Sequence, residues 1–230
     1  MTPRLPRTLL LMAVALSACG SSSPATSPGE QTRTAQQIYG DFLDQMTRET
    51  SVHVVGHQVD TTGATSDIDV LDGQSSARIT LVTQGATLYL VVTAAQVYAA
   101  QSIEGPWITA PADLAVNARS LTLANTVRCG RIEHGGLTRG AVSTIDGQKV
   151  IAIDDDGRAP GASPSTVYVA VTGAPRLVRV VDHGAGTPGG RTDCGHAAAA
   201  ASGPPTLSAK FDFSDWGKPL TVTPPPSGGV

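Results

Sequence analysis

Residues 207 to 214 read Leu207-Ser208-Ala209-Lys210-Phe211-Asp212-Phe213-Ser214. Leu207, Ala209, Phe211 and Phe213 fall on one side of an extended chain, and Ser208, Lys210 and Asp212 on the other. A period of two marks a strand with one face against a core and the other in water. Ala77, Ile79 and Leu81 alternate with Arg78 and Thr80 in the same way. Working outward, runs rich in Val, Thr, Ile and Leu are separated by Gly and Asp. They predict short antiparallel strands at 51–59, 66–71, 76–83 and 86–93, then at 141–145, 148–154, 166–172, 176–182, 207–214 and 219–223. Asp146-Gly147 and, more weakly, Gly173-Ala174 read as hairpin loops. The Val54-Val55-Gly56 break in the first run suggests a bulge.

An amphipathic sheet needs a cover. Ile38, Phe42 and Met46 recur every fourth residue behind a candidate N-cap at Thr34, which predicts a helix ending near Glu49. Leu121, Ala124, Val127, Arg128 and Ile132 make a second helix plausible over 120–132, and Ala94 to Ala100 is expected to form one or two helical turns. Gly105-Pro106-Trp107 is a turn carrying an aromatic. Residues 183–206, rich in Gly, Ala and Pro, lack a strand pattern and read as an insertion.

The N-terminus has its own logic. Arg4 and Arg7 precede an apolar run from Leu9 to Leu16, followed by Leu16-Ser17-Ala18-Cys19. This order predicts an export signal over 1–18. The tetrapeptide resembles the lipobox of bacterial lipoproteins, which implies that Cys19 carries a diacylglycerol and begins the mature chain. The apolar run falls short of the roughly 20 residues that cross a bilayer. Residues 19–33, with Pro24 and Pro28, read as a disordered tether, 34–224 as one domain and 225–230 as a tail. The expected location is the outer face of the cell membrane, held by lipid.

The chain has 230 residues, 16 basic and 19 acidic. Loss of Arg4 and Arg7 leaves 14 basic residues against 19 acidic ones. Without clustered Lys or Arg, nucleic acid is not an expected partner and membrane attachment falls to the acyl chains. Once Cys19 is assigned to lipid, Cys129 and Cys194 remain as an even pair in an oxidising compartment and predict a disulfide. Free thiols or a metal pair are the alternatives, but no CxxC and no His at ligand spacing supports the metal.

Candidate chemistry is sparse. Gly161-Ala162-Ser163-Pro164-Ser165 lacks the closing glycine of a nucleophile elbow. His53 and His57 share a strand face but read as surface or satisfied histidines. Asp154-Asp155-Asp156-Gly157, and Asp67-Ile68-Asp69 with Asp72-Gly73, depart from calcium-loop spacing. Glu133-His134 has no second histidine, and Trp107 and Trp216 read as closing a core or a rim. The expectation is therefore no catalytic residues, no metal, no cofactor and no enzyme.

Three stretches carry a resemblance: Asp146-Gly147-Gln148-Lys149-Val150-Ile151-Ala152-Ile153; the pair Val167 to Val171 and Pro175 to Val181; and above all Phe213-Ser214-Asp215-Trp216-Gly217-Lys218-Pro219-Leu220-Thr221-Val222-Thr223-Pro224-Pro225. With the lipobox, tether and helix order, they make the chain similar to the LppX and LprG type of actinobacterial envelope lipoproteins, which are built like the lipid carrier LolA. The resemblance implies an α+β fold, a strongly curved antiparallel half-barrel wrapped over helices and enclosing a hydrophobic cavity for acyl chains of lipids or glycolipids. The cavity-lining residues expected on that basis are Phe42, Met46, Val52, Val54, Ile79, Leu81, Leu88, Leu90, Val169, Val171, Phe211 and Phe213. Val169→Trp is expected to block lipid uptake without harming the fold. The implied function is a membrane-anchored protein that binds lipid or acylated glycolipid and carries it across the envelope, with an envelope transporter as a further partner. The alternative is a scaffold or accessory lipoprotein with a filled core. The 183–206 insertion and the cysteine pair depart from the pattern and are expected to restrict a lid or the cavity mouth.

Overall fold

The computed structural model describes residues 32–194 and 206–225. The expected signal peptide, Cys19, the tether up to Gln31, residues 195–205 of the insertion and residues 226–230 lie outside the described residues.

Helix α1 (Ala35–Arg48) opens with a capping box in which Thr34 Oγ1 accepts the Gln37 N–H at 3.2 Å and Gln37 Oε1 accepts the Thr34 N–H at 2.9 Å. It buries the stripe Ala35, Ile38, Tyr39, Phe42, Leu43 and Met46. Its far end is held by Gln74, whose amide donates to the carbonyls of Met46 and Glu49 at 3.1 and 2.6 Å.

The strands follow as β1 (Ser51–Asp60), β2 (Thr65–Gly73), β3 (Ala77–Thr83), β4 (Ala86–Val92), β5 (Val97–Ala100) and β6 (Ile108–Thr109). Two helices come next, α2 (Ala112–Ser120) and α3 (Leu123–Gly130). The remaining strands are β7 (Leu137–Ile145), β8 (Gln148–Asp155), β9 (Ser165–Ala170), β10 (Leu177–Asp182) and β11 (Thr206–Ser214). All pair antiparallel in one sheet of order β6-β5-β4-β3-β2-β1-β11-β10-β9-β8-β7. The sheet is curved and unclosed, an α+β half-barrel with helices on its concave side. Two meanders thus meet where β1 pairs with β11. The β3–β4 and β7–β8 hairpins turn on Gln84-Gly85 (φ 51° and 81°) and Asp146-Gly147 (φ 47° and 80°). Left-handed backbone at both turn positions matches the right-handed twist of the strands.

The structure departs from the sequence pattern at four places. Residues 97–100, expected to be helical, are a strand, because burying Val97 (2 % exposed) and Ala99 (4 %) against the concave side uses a period of two. The second helix spans 123–130 rather than 120–132, and α2 precedes it with Ala118 as its buried residue, too little apolar pattern to read. No bulge occurs at Gly56: the β1–β2 register is continuous from Ser51 to Val59, and the irregularity lies between Val59 and Asp60 against β11. Residues 219–223 are not a strand. Pro219, Pro224 and Pro225 lack amide donors. The chain instead crosses the end of β1 through Gly217 N–H to Ser51 O (2.9 Å) and Ser51 Oγ to Lys218 O, then lies against β3 and β4.

The Cys129–Cys194 disulfide ties α3 to a 3-10 turn at Thr192–Cys194, where Arg128 also donates to Asp193 Oδ2 (2.7 Å) and to its carbonyl (2.8 Å). At the other end of α3, Thr122 makes no capping bond through its side chain. The Asp72 carboxyl, on β2, lies close to the Leu123 N–H, which pulls against its burial, and its Oδ1 has no partner. Burial pushes the Asp72 carboxyl up to about 8.

The interior is two clusters. One gathers α1 and α3 over Val52, Ile151, Ile153, Val167 and Val169; the other gathers Val70, Ile79, Leu90, Val92, Val97 and Ala99 beneath α2. Val54, half-buried, packs against both.

Candidate functional site

Strand register arranges the concave face into rows that cross the sheet, and the rows pass from packed apolar to half-buried apolar to half-buried polar. The first row, Val92, Ala77, Asp72 and Val52, is 0 to 3 % exposed beneath the helices. In the second, Leu90, Ile79 and Val70 are 3 to 4 % exposed, while Val54 and Phe213 are half-buried. The third row, Leu88, Leu81, Ile68, Gly56, Phe211 and Val180, is entirely apolar, and all of it except Gly56 is half-buried. The fourth, Thr83, Ser66, Gln58, Ala209 and Asp182, is mostly polar. Here Ser66 and Thr83 share a 2.8 Å hydrogen bond, and burial raises the Asp182 carboxyl to about 6 against the opposing pull of His183.

The third row is thus an apolar shelf six strands wide with a polar rim. At a strand spacing of about 4.8 Å it spans roughly 24 Å, more than the ~15 Å half-thickness of a bilayer's hydrocarbon core. Gly56 supplies part of its shape: the ring of Phe211 lies where a side chain at 56 would stand.

The twelve residues singled out from the sequence divide accordingly. Val54, Leu81, Leu88, Phe211 and Phe213 are half-buried on the second and third rows. Phe42, Met46, Val52, Ile79, Leu90, Val169 and Val171 are 0 to 6 % exposed and packed in the two clusters. A tryptophan at Val169, which is 0 % exposed, would overpack the core, so the substitution expected to spare the fold belongs at Leu81. The sequence reading missed Ile68, Val180 and the polar row. Ile68 alternates with Asp67 and Asp69, a visible strand signal.

The other constellations are occupied internally. His57 Nδ1 meets Asp67 at 2.7 Å and His53 Nε2 meets Asp69 at 3.2 Å on the convex face. Asp155 accepts the Gly135 and Gly157 amides, and Asp156 those of Gly136 and Arg158. Cys129, Glu133 and Cys194 lie within 4.8 Å of one another, but both sulfurs are in the disulfide and are not thiolate ligands. Trp216 donates to Leu177 O at 3.2 Å and stacks on Phe213 at a centroid distance of 6.2 Å, closing the α1 cluster. A surface groove of about 380 Å³ beside it, lined by Asp146, Arg176, Asp212 and Trp216, has its charged groups engaged: Arg176 with Glu49 at 2.8 Å, and Asp212 with Arg179 and Lys210.

No family model matches this sequence, and no curated protein matches it. Solved structures do. LppX, a lipoprotein of Mycobacterium tuberculosis, superposes with a TM-score of 0.50 at 18 % identity, covering 82 % of this chain and 99 % of its own. LprF from Mycobacterium bovis gives 0.52 at 19 % identity, covering 83 % and 96 %. This is the LppX-type fold. Within the LppX-type fold the eleven-stranded open sheet and its helical cover account for nearly the whole described chain. Among the described residues no helix is long and apolar enough to cross a membrane.

Proposed function

We propose that this chain is an exported lipoprotein, anchored through Cys19, that takes the acyl chains of a lipid or acylated glycolipid onto the concave face of its sheet and carries them across the envelope. The observation that carries this reading is the order of the rows. A packed floor gives way to a half-buried apolar shelf, and the shelf to a polar rim that suits a headgroup. Val54 lies at the seam between the clusters, where parting α2 from α1 and α3 opens the shelf further. Each methylene moved from water onto such a surface gains about 0.8 kcal/mol, whereas transfer from a membrane is near neutral, so loading and unloading need no chemical energy. An envelope transporter would be the natural acceptor or donor. The competing reading, a non-carrying scaffold, draws support from the seven residues packed in the clusters.

The test is displacement of a fluorescent fatty acid from the full chain and from Leu81→Trp, which fills the shelf from a half-buried position. Saturable binding by the former and at least a roughly tenfold loss in the latter, at unchanged melting temperature, is the expected result. Absence of saturable binding by the unaltered chain would favour the scaffold.

A further inference from the structure

A second groove, of about 330 Å³, lies on the opposite, convex side of the sheet, between β3, β4, the loop carrying Trp107 and the segment 221–225. Its size falls within the range of about 300–1,000 Å³ typical of small-ligand sites. What distinguishes it from the groove beside Trp216 is that its polar groups are not spoken for. Arg78, Tyr89, Trp107, Thr80, Thr221 and Thr223 line it, and among the described residues their side chains make no hydrogen bond, ion pair or ring contact. Opposite Arg78 stand Leu71 and Val91, neither of which can neutralise it. The carboxylate of Asp69, opposite Thr80, is turned to His53.

We infer that this convex groove binds a sugar ring carrying a carboxylate or phosphate. The faces of Trp107 and Tyr89 offer the negative side of an aromatic quadrupole, which attracts the weakly positive C–H bonds of a pyranose face. The guanidinium of Arg78 supplies a fork of donors that matches a carboxylate or phosphate, and a charge-assisted bond to it is roughly twice as strong as a neutral one. Threonine hydroxyls, each donor and acceptor, together with the Trp107 N–H and Tyr89 O–H, complement ring hydroxyls. A nonpolar ligand would leave these groups unpaired, and a bare anion would leave the rings unused. The site is separated by the sheet from the acyl shelf, so it reads a ligand independent of the lipid.

The experiment is a titration of the full chain, in mild detergent, with glucuronate, glucose 6-phosphate, glucose and inorganic phosphate, followed by saturation-transfer NMR and calorimetry. Saturable binding of glucuronate or glucose 6-phosphate, about tenfold or more tighter than glucose and not matched by phosphate, is expected; which of the two binds tighter distinguishes a uronic acid from a sugar phosphate. Arg78→Gln, an exposed position that spares the fold, should bring the anionic sugar down to the affinity of glucose. Trp107→Leu should abolish saturation transfer from the ring protons. Failure of both anionic sugars to bind, phosphate binding as tightly as they do, or indifference to Arg78→Gln would overturn the assignment.

Discussion

Gly56 on β1 faces Phe211 on β11, and a Cβ built on Gly56 would stand 2.4 Å from Phe211 Cδ1. The glycine is there for the ring. With no side chain at 56, Phe211 lies flat along the apolar shelf between Ile68 and Val180 instead of standing up across it. Gly56→Ala should therefore displace the ring, cost about 1–3 kcal/mol by urea unfolding and lower fatty-acid binding. Phe211→Ala in the same chain should remove most of that coupling, because the clash has gone. A strictly additive double mutant would show that the two positions do not share the shelf.

Asp72 sets a pH dependence. Its carboxyl is raised from 3.8 to about 8 by burial, so the native state holds a proton that the unfolded chain releases above about pH 4. Its contribution is complete below that pH and is lost as pH rises towards 8. Asp72→Asn keeps a carbonyl oxygen beside the Leu123 amide while removing the ionisation. The variant should match the parent near pH 4 and exceed it at pH 8 by roughly 2 kcal/mol or more, since one pKa unit corresponds to about 1.4 kcal/mol. Parallel stability curves for the two proteins between pH 4 and 8 would refute this.

The Cys129–Cys194 bond closes a loop with a sequence separation of 65. Chain entropy values such a closure at about 4 kcal/mol. Cys129→Ser with Cys194→Ser should lose roughly 2–4 kcal/mol, read from urea midpoints with and without reductant. The parent should fall to the same midpoint when reduced. A double variant as stable as the oxidised parent would mean that Arg128 and Asp193 already hold α3 to the turn.

Glu49 is 7 % exposed and ends α1, accepting from Gln45 at 2.7 Å and from Arg176 at 2.8 Å. Removing its cation leaves a buried carboxylate with one neutral donor. Arg176→Met should cost more than Glu49→Gln with Arg176→Met together, by about 1–2 kcal/mol in thermal unfolding, since a lone buried charge is worse than none. Equal losses would place the pair among ordinary surface bridges.

Much of this architecture could be read from residue patterns because it rests on local periodicity. The alternation of 207–214 gave β11, Asp146-Gly147 gave the β7–β8 hairpin, and the four-residue spacing of Ile38, Phe42 and Met46 gave α1. Cys129 and Cys194, left as an even pair, gave the staple. What escaped depended on distant partners. Val97 to Ala100 became a strand only because β4 offered an edge, and α2 buries too little to leave a stripe. The segment after Lys218 lies against β3 and β4 rather than pairing as a strand. The candidate site was half legible: alternation told which side chains share a face, but only the register between strands sorts Leu81, Leu88 and Phe211 onto a shelf and Val52, Ile79 and Val169 into packed floor. Asp182 and Gln58 carry no pattern that marks them as a rim.

The proposed function requires hydrocarbon on the third row of the concave face. Native mass spectrometry of the full chain, extracted in mild detergent and incubated with phospholipid and glycolipid vesicles, tests it most directly. One noncovalent lipid adduct per chain, beyond any lipid bonded to Cys19, is expected, and it should disappear in Leu81→Trp. An unaltered chain that flies bare, or an adduct that Leu81→Trp leaves untouched, would contradict it.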